Sequence, residues 1–101
     1  MTSGQKKITT IGDIRVQLTS AIKGWHQLTS DLPWHENDDS LSAMEMHIST
    51  LRAVNAQLAV AEIRLPAAAQ RKLATRFDEG SVQDPGRFAP FAAAVELAVA
   101  A

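Results

Sequence analysis

From Ile11 to Leu65 the apolar residues of this chain recur at intervals of three and four, and that spacing limits what it can fold into. Ile11, Ile14, Leu18, Ala21, Trp25, Leu28 and Leu32 form one stripe, widened by Ile22. Leu41, Met44, Ile48, Leu51, Val54, Leu58, Ala61 and Leu65 form a second. An α-helix turns once every 3.6 residues, so each stripe runs along one helix face, whereas a strand requires strict alternation. The spacing predicts two amphipathic helices, Ile11 to Asp31 and Ser40 to Leu65, roughly 30 and 38 Å long at 1.5 Å per residue. The polar connector from Asp31 to Asp39 is short enough to fold the second helix back antiparallel on the first, stripe against stripe.

Local signals place the ends. Thr10 and Asp13 have the spacing of a capping box, in which each side chain bonds the other residue's amide. Pro33 ends the first helix. Asp39, Ser40 or Ser42 can cap the second, with Ser42 and Glu45 repeating the box pattern. Pro66 breaks that helix because it lacks an amide hydrogen. Ala67–Glu79 resumes as helix, with Ala69, Leu73 and Phe77 on one face and Gly80 at its C-cap. Ser81–Gly86 reads as a turn, and Asp84 before Pro85 starts a last helix, from Pro85 or Phe88 to Ala101. The fold class is therefore all-α: a small bundle of three to four helices built on a long antiparallel hairpin. Residues 10–101 form one domain behind a flexible N-terminal tail, residues 1–9.

The composition excludes more than it suggests. A chain of 101 residues with 46% hydrophobic and 21% charged residues is globular rather than disordered. It has no cysteine, so disulfides, thiolate metal sites and thiol nucleophiles are all absent. That absence, with no apolar segment following Lys6 and Lys7, suits a cytoplasmic protein. The longest apolar run, Phe88–Val95, contains Pro90 and is too short to span a bilayer. A net charge of −1 gives no overall attraction to nucleic acid or acidic lipid.

Motifs for chemistry are missing. His26, His35, Glu36, Asp38, Asp39, Glu45 and His47 cluster around the connector as candidate metal ligands, but Glu45 and His47 are two apart and point to opposite sides of a helix. Neither a His–Glu–x–x–His run nor a calcium loop is present, and the cluster reads as solvated acidic surface beside a helix N-terminus. No nucleophile elbow or glycine-rich phosphate loop marks any serine or lysine. The Trp-x-Gly turn of the small secreted WXG-type helical hairpins is replaced by Trp34-His35-Glu36, so the chain is not assigned to that family. No enzyme activity, metal or cofactor is expected.

What remains is surface. Arg64, Arg71, Lys72 and Arg76 put four cations on one flank with no acid between them, a face that suits phosphates. Trp25 belongs to the stripe and should be core. Trp34 lies in the acidic connector, either stapling it to the hairpin or anchoring a partner. Asn55 sits at the edge of its stripe, as an exposed amide or as a register-setting hydrogen bond. The last helix carries one charge, Glu96, in fourteen residues, with Phe88, Phe91 and Val95 on one side and Leu97 on another. A helix so apolar should be covered nearly all round. Trp34, Phe88, Phe91, Val95 and Leu97 are therefore the expected partner interface. The expected function is protein–protein interaction: a small regulator, inhibitor, adaptor or assembly subunit, docking on another protein or on itself as a homodimer. Nucleic-acid binding through the basic flank is the alternative, and a metal-dependent or bundle-type enzyme comes third.

Overall fold

The computed structural model describes residues 10–31 and 38–100, with the backbone alone for 38–40. Among these residues the chain forms four α-helices and a 3-10 turn, with no strand. In order they are α1 (Ile11–Asp31), α2 (Asp38–Arg64), α3 (Ala67–Arg76), the turn (Glu79–Gln83) and α4 (Pro85–Ala100). The expected all-α bundle on a helical hairpin is the fold that forms.

α1 begins with the predicted capping box. The Thr10 amide donates to Asp13 Oδ2 at 3.3 Å, and the Asp13 amide donates to Thr10 Oγ1 at 3.1 Å. α2 begins earlier than its serines suggest: the helix is already under way at Asp38, so Ser42 and Glu45 lie inside it and form no box at its start. Polar contacts across the hairpin show the antiparallel pairing. Arg15 Nη1 donates to Glu62 Oε1 at 2.7 Å, and further along Arg52 meets His26. Half-buried Asn55 stands between these pairs, accepting from Arg15 Nε at 3.3 Å and donating to Thr19 Oγ1 at 3.4 Å. Of its two readings, the hydrogen-bonded one is the one that forms.

Burial is graded along the hairpin. Ile11, Ile14 and Leu18 of α1, with Leu51, Val54, Leu58 and Ala61 of α2, are buried. Ala21, Ile22 and Trp25 are half-buried, and Leu28 is exposed. The core extends on α2 as far as Ile48 and His47, beneath the turn and α4, and thins on α1 beyond Trp25. Leu73, Ala74, Val82, Phe88, Phe91 and Val95 complete it.

Pro66, extended at φ −68° and ψ 161°, separates α2 from α3. The carbonyls that end α2 would otherwise lack donors. The Gln70 side-chain amide reaches back to two of them, Glu62 O at 3.2 Å and Leu65 O at 2.9 Å, and ties α3 to the end of α2. α3 then stops at Arg76 rather than at Glu79. Phe77 leaves the helix at φ −74° and ψ 130°, and its ring packs edge-on against Phe91 at 5.1 Å. Gly80 is accordingly not a helix C-cap; it lies within the 3-10 turn and has no positive φ. Its own role is spatial. A Cβ there would stand 3.2 Å from an Arg87 guanidinium nitrogen, so glycine leaves room for Arg87 to pair with Asp78. Asp84 starts α4 as predicted, accepting from the Gly86 amide at 3.0 Å and the Arg87 amide at 3.4 Å, with Pro85 at the first helical position.

The turn is also tied to the hairpin through one of its carbonyls. Val82 O has Pro85 three residues on, which has no amide to offer it. Two side chains take its place: Trp25 Nε1 donates to Val82 O at 3.0 Å, and His47 Nε2 lies 2.9 Å from the same oxygen. A carbonyl only accepts, so this contact requires the proton on Nε2. The His47 ring stands edge-on between Trp25, at 5.2 Å, and Phe88, at 5.9 Å. His47 is thus a buried core residue and not part of a solvated acidic surface.

Candidate functional site

The expected interface divides when it is placed on the fold. Phe88, Phe91 and Val95 are 1%, 3% and 0% exposed, inside the chain's own core, which corrects their assignment to a partner. The reason is coverage: α2, α3 and the turn all pack on α4 and together bury the stripe those residues make. Leu97 stays outside at 73% exposure. Trp34 lies outside the described residues. The basic flank is at the surface throughout, with Arg64 at the end of α2 and Arg71, Lys72 and Arg76 on α3 all exposed. None of the four takes part in an ion pair among the described residues.

What the tertiary structure adds is a junction between these two features. α3 and α4 lie side by side, and the furrow between them has an apolar floor of Ala69, Leu73, Ala94 and Ala98. Lys72 and Arg76, one helical turn apart, stand on the α3 rim, and Leu97 stands on the α4 rim. The alanines create the furrow: with only a methyl group at each position the floor stays low, while the rim side chains extend above it.

Both walls are anchored to the rest of the fold. Leu73 and Ala74 hold α3 in the core, and Gln70 holds its start. Phe88, Phe91 and Val95 hold α4. The link between the walls is fastened by Asp78, which accepts from the Gly80 amide at 3.1 Å and pairs with Arg87. The hydrogen bond from Arg87 is the chief cause that holds the Asp78 carboxyl below the usual carboxylate range; slight desolvation opposes it, and the Gly80 amide assists. A furrow with anchored walls presents its surface without first having to order itself.

The candidate metal ligands do not come together. No group of three or more His, Asp or Glu side chains that could hold a metal occurs among the described residues. His26 faces Arg52, and His47 is committed to Val82. His35 and Glu36 lie outside the described residues, as do the side chains of Asp38 and Asp39. A second hollow, between α1 and the 3-10 turn, is lined by Gln17, Ser20, Gly24, Trp25, Leu28 and Gln83 among others. Its indole N–H is already used internally, and it carries no unpaired charge. Among the described residues no helix is long and apolar enough to cross a membrane.

Sequence reasoning found the cations and Leu97 separately, as features of rival functions, and missed that they border one furrow. The available signal was the small-residue spacing of Ala94 and Ala98 beside Leu97, which lets a neighbouring helix approach closely. Comparison with protein-family models, curated proteins and solved structures finds no match to this chain.

Proposed function

We propose that this chain is a non-catalytic docking module that binds a partner protein in the furrow between α3 and α4. One observation carries the reading: a large apolar side chain, Leu97, stands 73% exposed beside an apolar floor and a cationic rim that is unpaired among the described residues, on two helices anchored from behind. Burying a leucine side chain is worth about 1.5–3 kcal/mol, which a protein partner supplies and water does not. An apolar centre with a polar rim is the usual anatomy of a protein interface. The role is that of a small regulator, inhibitor, adaptor or assembly subunit. A cytoplasmic location, which the lack of cysteine suits, belongs to the same proposal.

The test is a photo-crosslinking residue at Leu97, introduced in the cells that make the protein, followed by mass spectrometry and re-binding of the crosslinked protein in purified form. A stoichiometric complex that Leu97→Glu abolishes, with helicity by circular dichroism unchanged, is the expected result. A purified partner that binds the Leu97→Glu chain as tightly as the parent would place the interface elsewhere.

A second reading draws on the same unpaired cations. Arg64 and Arg71 lie off the furrow, and with Lys72 and Arg76 they make a flank for phosphates. Such binding weakens steeply with salt, because each neutralised phosphate releases counterions. Oligonucleotide affinity and salt slope that are unaltered in Arg71→Glu/Arg76→Glu would dispose of it.

A further inference from the structure

We infer that the occupant of the furrow is an acidic amphipathic helix of a different protein, and this rests on the docking reading above. Charge selects the occupant. From Arg64 to Arg76 there are four cations and no acid. Arg87 on α4 is already paired with Asp78, and Glu96 is the one carboxylate of α4. An incoming segment therefore meets Lys72 and Arg76 with no partner to displace among the described residues, and carboxylates on that segment supply the missing counter-charges. An apolar floor between two rims suits a helix laid along the furrow with its apolar stripe down.

The same charges exclude the nearer occupants. A second copy offers only the same patch, whose lining holds Lys72 and Arg76 and no carboxylate, so self-docking supplies no counter-charge. Residues 1–9 carry Lys6 and Lys7 and no acid, so they have the wrong sign to fill the furrow from within. Nucleic acid satisfies the cations but leaves Leu97 without an apolar contact.

The experiment uses the full chain and three fluorescent probes. The first is a synthetic helix of about four turns with a leucine stripe flanked by glutamates. The second is the same helix with lysines in place of the glutamates, and the third is a thymidine oligonucleotide. The acidic helix should bind about tenfold or more tightly than the basic one. Lys72→Glu/Arg76→Glu should invert that order, and Leu97→Ser, which adds no charge, should weaken the acidic helix. If Leu97→Ser weakens both helices alike and charge reversal changes neither, the furrow docks helices without choosing acids; this inference then falls and the docking reading stands. If Leu97→Ser alters neither helix, both fall. Failure of the acidic helix to bind up to about 1 mM overturns the inference. So does tighter, charge-dependent binding of the oligonucleotide, or self-association that the acidic helix competes away.

Discussion

A single backbone oxygen makes the sharpest demand at the scale of the residue. Val82 O accepts from Trp25 and lies within hydrogen-bond distance of His47, side chains far from it in sequence and on different helices. Either donor alone keeps the carbonyl satisfied, and loss of both leaves it buried and unpaired. Trp25→Phe and His47→Leu should each cost about 1 kcal/mol in urea unfolding, while the double variant should cost a further 1–3 kcal/mol or so beyond their sum. Additive costs would show that the two bonds do not share their acceptor. Asp78 gives a pH prediction at the same scale. Its folded pKa is lowered, chiefly by Arg87. Its contribution to stability is therefore complete above the unfolded value of about 3.9 and is lost as pH falls through the lower folded one. The side-chain carboxyl resonance of Asp78 should titrate below that value in the parent chain and return toward it in Arg87→Gln; a midpoint that ignores Arg87 would contradict the pairing.

Elements inherit their limits from these contacts, and the hairpin shows it as a gradient. Leu18→Ala and Leu51→Ala, deep in the core, should each cost about 2–5 kcal/mol, whereas Leu28→Ala, on the same α1 stripe but exposed, should cost under about 0.5 kcal/mol. Equal costs along α1 would mean that the connector end is as well covered as the other. The stripe itself was legible in the sequence, because helical periodicity is a local property. So were the Thr10–Asp13 box, the Pro66 break and the Asp84–Pro85 start, each settled within a few residues. The gradient was not legible, since it depends on where α3 and α4 come to rest. Nor was the end of α3: its periodicity continues through Phe77, but packing against Phe91 pulls that residue out of the helix. The outward reading of Phe88, Phe91 and Val95 failed for the same reason. Three covering elements converge on α4, and no local pattern counts them. The candidate site was half legible: its cations and its leucine stood out, and the furrow that joins them is a tertiary feature.

For the whole molecule the question is whether it works alone. The sequence argues for self-association, because the last helix carries more apolar surface than a short chain is expected to cover. The fold covers most of it, since Phe88, Phe91 and Val95 are core and the exposed face of α4 has one large apolar side chain, Leu97, among alanines. On α4, one leucine is too little to hold two copies together against the entropy of association. The charge distribution acts in the same direction. Four of the ten basic residues fall between Arg64 and Arg76 and none of the eleven acidic ones does, so the docking face is positive on a molecule whose remainder is net acidic. Isologous contact across that face buries cations without supplying counter-charges, a cost that salt screening relieves only in part. The purified chain should therefore be monomeric by light scattering at micromolar concentration and near-physiological salt, and should form a one-to-one complex only with a partner of opposite sign. A stable dimer that Leu97→Glu dissociates would reverse this conclusion: the furrow would then be a self-interface, and Lys72 and Arg76 would have to find their counter-charges on the second copy, outside the patch described here.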